Sequence, residues 1–400
     1  MSQEVKVVAR TVEVDGNKWL NEDLTLLAGK AAGVCYMPDN YMEEGIQNLE
    51  RAMKRAENTS KSGHHSVYDH GHVTMVIKTN KMMAMLLNSI GVYTTSEKSA
   101  RYTVMKPETE LELKLYEKWT DLINKAILEF YPDMDEKSAN KLAMENARYM
   151  ISVFTPTTMM YTISFRQAFL IIDYLEKLCE DCGRLPDVFS KRLLISAKEL
   201  AEQFKEQIGE SRLHDNKNQG FRFLEYQNFK KETEPKKDVI GDSYTTTYIG
   251  SFAMLAQAQR HRTLRYTMFF NGDDKMFGYY VPHIVDKAGL HDEWLEDINS
   301  VSYCYPQGTL IRITEQGIFE DFALKCKERL CGRAQLEITT NTVYTLCDFI
   351  VNKDHLCEEN QMLLGSMIIN DRPCARCMFK DFTCTEGCRW GAKYAFTRLI

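Results

Sequence analysis

Alternating apolar and polar positions mark HVTMVIKT, residues 72–79, as a half-buried strand, and the apolar run MMAMLLNSI after it predicts a short buried helix. The order recurs further on. SYTTTYIG (243–250) is rich in strand-forming residues, and FAMLAQAQRHR (252–262) predicts an apolar helix whose final cations suit a helix C-terminus. A strand, an apolar helix and a polar tip thus occur twice at a spacing that predicts a duplicated domain and not a solenoid unit. VKVVARTVEV near the start predicts another strand, and helical patterning runs from Asn21 to Ala56. The segment from Glu110 to Gln207 also reads as helical, punctuated by Pro132, Pro156 and Pro186. The polar stretch from Gly209 to Gly241 predicts a boundary.

Composition narrows the class. The chain has 400 residues, 44% of them hydrophobic and 26% charged, which is globular and long enough for two domains. A net charge of −6 argues against coating nucleic acid through bulk positive charge, while a local basic pocket for a phosphate stays open. The N-terminal sequence lacks the pattern of a secretory signal. No run reaches the roughly 18 to 20 apolar residues of a membrane span. The expectation is a cytoplasmic protein with small partners, no nucleic acid and no membrane, whose twelve cysteines serve as metal ligands, redox groups or buried thiols.

Four stretches carry candidate chemistry. HHSVYDH places His64, Ser66, Asp69 and His70 at the mouth of a predicted strand, which suits a metal, a hydrogen-bonding loop under a ligand, or a solvated turn. In TSEKSARYT, Glu97, Ser99 and Arg101 alternate, so an extended loop would offer an acceptor, a hydroxyl and a guanidinium on one side. QAQRHRTLRYT, which starts at Gln257, packs Arg260, His261, Arg262 and Arg265 together, a set that a phosphate-rich ligand or water would compensate. RLCGRAQLEI, with Arg329, Gln335 and Glu337, reads as part of a helix continuing through TTNTVYTLCDFIV. Its polar residues are equally consistent with an exposed helix face.

Together these stretches resemble the flavin-dependent thymidylate synthases, the ThyX family. HHSVYDH is similar to that family's H-x-S-x-x-E-H, with Asp69 in place of Glu. SEKSARY and the later RHR are similar to the two ends of its long arginine signature. RLCGRAQLEI is similar to its R-L-x-x-x-A-Q-x-E-I. The likeness is split between the halves. The first half keeps His64, Ser66, Asp69, Glu97, Ser99, Arg101, Arg148 and Arg166, but has Ser89, Ile90 and Gly91 in place of R-H-R and Leu175 in place of the last Arg. The second keeps Gln257, Arg260, His261, Arg262, Arg329 and Gln335, with Ser302 and Glu320 where the first has Arg148 and Arg166.

The resemblance implies an α+β fold of two tandem ThyX-like domains, each a small, mainly antiparallel sheet flanked by helices. The expected boundaries are 1–208 for the first domain, 209–240 for a linker, 241–356 for the second domain and 357–400 for a Cys-rich tail. It further implies transfer of a one-carbon unit from methylenetetrahydrofolate to carbon five of dUMP, with FAD, reduced by NADPH, carrying hydride. The site would be assembled from both halves of a homodimer that stands for the family's tetramer. FAD would meet His64, Ser66, Asp69, Arg166, Arg260, His261 and Arg262. The nucleotide would meet Glu97, Ser99, Arg101, Arg148, Gln257, Arg260, Arg329 and Gln335, with Ser99, Arg101 and Arg329 as the catalytic residues. Another pyrimidine nucleotide, or flavin and nucleotide binding without turnover, is the alternative.

One feature lies outside that family pattern. Cys374, Cys377, Cys384 and Cys388 form two short-spaced thiol pairs in the tail, a spacing suited to tetrahedral structural zinc.

Overall fold

The computed structural model describes residues 3–15, 18–34, 41–62, 65–99, 103, 106–211, 213, 237–261, 263–270, 277–380, 384 and 388–400. Most of the expected 209–240 linker lies outside these residues. The chain divides into two compact units, Met1–Lys98 with Pro156–Phe223, and Ser99–Thr155 with Leu224–Ile400. Among the described residues no helix is long and apolar enough to cross a membrane.

In the first unit the strands are β1 (Glu4–Arg10) and β2 (His72–Asn80), then, after helix α1 (Lys81–Leu87), β3 (Thr94–Glu97) and β4 (Pro156–Ser164). Helices α2 (Phe165–Gly183) and α3 (Val188–Ile208) follow. The strands form an antiparallel sheet in the order β1-β2-β4-β3. Val73, Met75 and Ile77 of β2 and Met159, Tyr161 and Ile163 of β4 are buried, the period of two that puts one face on a core. Two strands run straight into helices. Asn80 accepts a hydrogen bond from Met83 N at 2.9 Å to cap α1, and Ser164 accepts one from Gln167 N at 3.1 Å to cap α2. The outer edge of β1 is covered by α3, whose Glu199, Gln203 and Gln207 accept from the backbone N–H groups of Gln3, Val5 and Val7.

Two expectations are corrected here. The stretch from Glu110 to Gln207 is not helical throughout, because TPTTMMYTIS forms the central strand β4. Its threonines and alternating burial favour a pleated strand, and Pro156 at its first position costs no ladder bond. The expected helix from Asn21 to Ala56 is Leu24–Val34, Glu44–Gln47 and Leu49–Lys61, the last started by the Asn48 side chain accepting from Arg51 N.

The second unit repeats the arrangement. β5 (Ser243–Ser251) leads into α4 (Phe252–Ala258) and β6 (Arg265–Phe269), and β7 (Leu310–Ile318) leads into α5 (Phe319–Arg329), before α6 (Leu336–Val351). The sheet order is β5-β7-β6, the counterpart of β2-β4-β3. The registers agree residue for residue: Asn80 lies opposite Pro156 and Ser251 opposite Leu310, while Thr94 lies opposite Thr162 and Arg265 opposite Gln316. Position by position, Arg166 of α2 therefore corresponds to Glu320 of α5, Leu175 to Arg329, and the Ser89–Ile90 turn to Arg260–His261.

RLCGRAQLEI is not on one helix. α5 stops at Arg329, the turn Leu330–Gln335 follows, and α6 begins at Leu336. Gly332 sits in that turn against Trp390, where a Cβ would come within 2.6 Å of the Trp390 Cβ, so only glycine fits without a shift. The unit's core also takes in two long helices, Glu110–Phe130 and Glu136–Ala147, through Trp119, Ile123, Ile127 and Ala143. Trp119 meets Trp294 edge-on at 4.8 Å.

Candidate functional site

In the first unit the loop before β2 is a short 3-10 helix, His65–His70, pinned from below. His65 Nε2 lies 3.0 Å from Ser60 O, and Tyr68 donates to Ala56 O at 2.9 Å. With those two side chains buried, Ser66 and His70 are exposed and Asp69 is half-buried. Asp69 Oδ1 accepts from Ser164 Oγ at 2.7 Å and Oδ2 from Arg166 Nη1 at 3.0 Å. Ser164 therefore caps α2 and fixes Asp69 at once. Asp69 keeps 38% of its side chain open, leaving room for a further polar contact. Glu97 is engaged differently: it pairs with Lys81 at 2.5 Å and accepts from Thr157 at 3.1 Å. His64, Arg101 and Arg262 lie outside the described residues.

In the second unit the structure draws together Arg148, Gln257, His261, Arg329 and Gln335. Arg148, held by the end of the Glu136–Ala147 helix, donates through Nη2 to Gln335 Oε1 at 2.8 Å. Gln257 Nε2 donates to the same oxygen, and Gln335 Nε2 donates to the Tyr149 hydroxyl oxygen. Tyr149 then donates to Glu337 Oε2 at 2.7 Å, and that carboxylate also accepts from Ser251 N at 2.8 Å and Ser251 Oγ at 2.7 Å. Gln335 and Glu337 are 4% and 7% exposed, so neither side chain faces solvent. Burial raises the Glu337 carboxyl above its usual range, opposed by the donors from Ser251 and Tyr149 and by the Arg148 charge.

Beside this cluster Arg329 donates from Nε to His261 Nε2 at 2.9 Å and from Nη2 to Gln257 O at 3.2 Å. His261 is held neutral, its pKa pushed down to about 2 by burial and then by the charges of Arg329 and Lys325. Lys325 is fully buried and pairs with buried Glu315 at 2.6 Å, while Tyr244 and Tyr248 donate to the same carboxylate at 2.7 and 3.0 Å. The matching positions of the first unit are Tyr161 and Ile171, so this charged network belongs to the second unit alone among the two repeats. Arg260 is exposed at the turn, and the Ser99 carbonyl accepts from Thr103 N at 3.1 Å.

A cavity of 390 Å³ opens next to the cluster, lined by Lys141, Asn146, Arg333, Gln335, Arg389 and Trp390. The rest of its lining adds the carboxylates of Asp135 and Glu145 and the apolar side chains of Met134, Leu142, Leu336 and Ile400. Sequence reading missed Tyr149, Glu337, Ser251 and Lys325 as members of the site. The E-I of RLCGRAQLEI was the available signal for Glu337; Tyr149 and Lys325 carry no pattern beyond adjacency to Arg148 and the helix.

Among the described residues no group of three or more His, Cys, Asp or Glu side chains is placed to hold a metal ion. Cys374 is buried, with its N–H donating to Met367 O. Burial pushes the Cys377 thiol up, with smaller contributions from the thiols of Cys384, Cys388 and Cys331. Cys331 was not in the expected set.

No curated protein matches the chain. Among solved structures, a UMP/dUMP methylase, PolB from Streptomyces cacaoi, bound with 5-Br dUMP, is similar at 14% identity over 52% of this chain and 97% of that one, with a TM-score of 0.29. Residues 21–180, which include the His65–His70 loop, β2, β4 and Arg166, match the family model of the thymidylate synthase complementing protein, and this stretch of the chain carries that family's sequence pattern.

Proposed function

We propose that the chain is a flavin-dependent, thymidylate synthase-like transferase that passes a one-carbon unit from methylenetetrahydrofolate to carbon five of dUMP. The observation that carries this reading is the gathering of Arg148, Gln257, Arg329 and Gln335, from three separate stretches of sequence, into one hydrogen-bonded cluster of the second unit. Two polar atoms of that cluster, Arg148 Nε and Gln257 Oε1, have no hydrogen-bond partner among the described residues. Arg329, next to Gln257, supplies a fixed positive charge for the negative charge that develops on the ring.

FAD, when bound, would carry hydride from NADPH to the transferred carbon. Asp69, Ser66 and Arg166 fit its polar groups: an open carboxylate, an exposed hydroxyl and a guanidinium share one side of the His65–His70 helix and the start of α2. The identical registers of the two sheets support reading the second unit as a second copy of the family's domain, each copy retaining residues the other has replaced. The active species would be a homodimer in which both units are required.

The visible spectrum of the purified protein, followed through a titration with dUMP, tests this. Bound flavin whose bands shift with dUMP, and a shift lost in Arg329→Ala with flavin retained, are expected. A chain that cannot be loaded with FAD sinks the flavin enzyme. Loaded protein that responds to another pyrimidine nucleotide and not to dUMP moves the substrate, and nucleotide binding without product points to a binding protein.

A further inference from the structure

We infer, independently of the nucleotide reading, that the groove between the outer edge of β5 and helix α6 docks a short extended peptide that carries a lysine or arginine. In the first unit the equivalent place is filled by the chain itself. There β1 lies along the edge of β2, with Glu4 opposite Lys78 and Lys6 opposite Val76. Helix α3 closes over it, and its Glu199, Gln203 and Gln207 accept from the outward N–H groups of Gln3, Val5 and Val7.

In the second unit β5 stands where β2 does, and among the described residues its outer edge meets no strand beyond the Val239 bridge at Thr245. The helices of the two units share a register along their sheets. Ser196 Oγ of α3 accepts from Asn80 Nδ2 at 2.9 Å, and Glu337 of α6 accepts from Ser251, which holds the place of Asn80. Counted on from Ser196 and Glu337, the acceptors Glu199, Gln203 and Gln207 correspond to Thr340, Tyr344 and Asp348. All three line a cavity of 530 Å³ whose other wall includes Thr246 and Ile249 of β5.

Backbone directions alternate along a strand. Thr245 bonds outward to Val239 and Phe252 inward to Thr309, so the N–H and C=O of Ile249 face outward, and no described residue pairs with them. Two groups in the cavity wall, Thr246 Oγ1 on a side chain 5% exposed and Asn341 Oδ1, also lack a hydrogen-bond partner among the described residues. Edge pairing beside a helix is a mode by which extended peptides are recognised. Here the ladder is short, because Thr247 N already donates to Asp238 Oδ1 at 2.7 Å. A segment paired at Ile249 therefore runs next into a carboxylate. Charge chooses the occupant: Asp238, Glu337 and Asp348 line the cavity, and no Lys or Arg does. A cationic side chain following the pair at Ile249 would stand beside Asp238 and Asp348. Laid on β5 as it lies on β2, the β1 sequence EVKVVAR puts Glu4 opposite Ile249 and Lys6 opposite Thr247, next to Asp238.

The test is the fluorescence anisotropy of a labelled, end-blocked EVKVVAR peptide titrated with the full-length protein, as wild type, Ile249→Pro and Asp348→Lys. Binding to the wild type that weakens with salt is expected. Ile249→Pro removes an N–H that makes no bond within the sheet, and proline is tolerated at such an edge. Asp348→Lys reverses an exposed charge. Each variant is expected to weaken binding by about tenfold or more, and a peptide with glutamate in place of its lysine should regain affinity for Asp348→Lys. Wild-type protein that does not bind the peptide overturns the docking site. Equal binding to wild type and both variants places the peptide elsewhere and overturns it too. Displacement of the peptide by spermidine, with Ile249→Pro binding as tightly as wild type, would leave a bare cation site in which no backbone is read. Self-association of the wild type that Asp348→Lys abolishes would give the groove to a second copy instead.

Discussion

Arg329 donates to His261: the guanidinium Nε lies 2.9 Å from the imidazole Nε2, so the histidine must be neutral with its proton on Nδ1. The contact sets the direction of the one arginine that the first unit replaces by Leu175. It also couples the site to pH. With the folded pKa of His261 pushed down to about 2, the unfolded chain takes up a proton near pH 6.5 that the folded chain refuses. The stability this group contributes is therefore complete above about pH 6.5 and is lost as pH falls toward its folded value. The loss is roughly 1.4 kcal/mol per pH unit. Urea denaturation between pH 7 and pH 4 should show a shallower decline in His261→Gln, whose amide oxygen can still accept from Arg329. Identical slopes for the two proteins would rule the coupling out.

Lys325 and Glu315 are both fully buried, so removing one charge strands the other. Lys325→Met is expected to cost about 3–5 kcal/mol in unfolding free energy, and adding Glu315→Gln should recover a good part of it. Chemical denaturation of the single and double variants measures this. A double variant no more stable than the single one would show that the pair is not the reason.

Asp69 accepts from both Ser164 and Arg166, and the reading of this loop as a flavin contact makes its charge important. Asp69→Asn is expected to lower FAD affinity by about five- to tenfold, through loss of a charge-assisted contact that orders Arg166. The flavin-to-protein absorbance ratio after dialysis reads it. Full flavin retention in the variant would remove Asp69 from the cofactor site.

The Cys-rich tail is tested by metal analysis. If the thiols around Cys377 are a structural zinc site, the purified protein holds one zinc per chain, and Cys377→Ser loses it. Cys331→Ser would separate a ligand set that includes the α5–α6 turn from the tail cysteines alone. Folded, reduced and metal-free protein would remove zinc.

The sequence by itself pointed to a repeat. Alternation in HVTMVIKT and the strand-helix order in both halves predicted strands and a duplicated domain, because burial of one sheet face imposes a period of two on the residues themselves, while the antiparallel sheets followed from the family resemblance. Asp69, Arg166, Gln257, Arg329 and Gln335 were singled out by the family resemblance, each stretch alone being as consistent with solvated polar residues. Tertiary structure decided the rest. Strand β4 was hidden between two long helical stretches, since a wide window averages a nine-residue strand into its neighbours. The direction of every hydrogen bond in the Glu337–Tyr149–Gln335–Gln257 chain, the neutrality of His261 and the burial of Lys325 against Glu315 depend on groups far apart in sequence. Distance and desolvation arise only when the chain has folded, and they assign these side chains their donors, acceptors and charges.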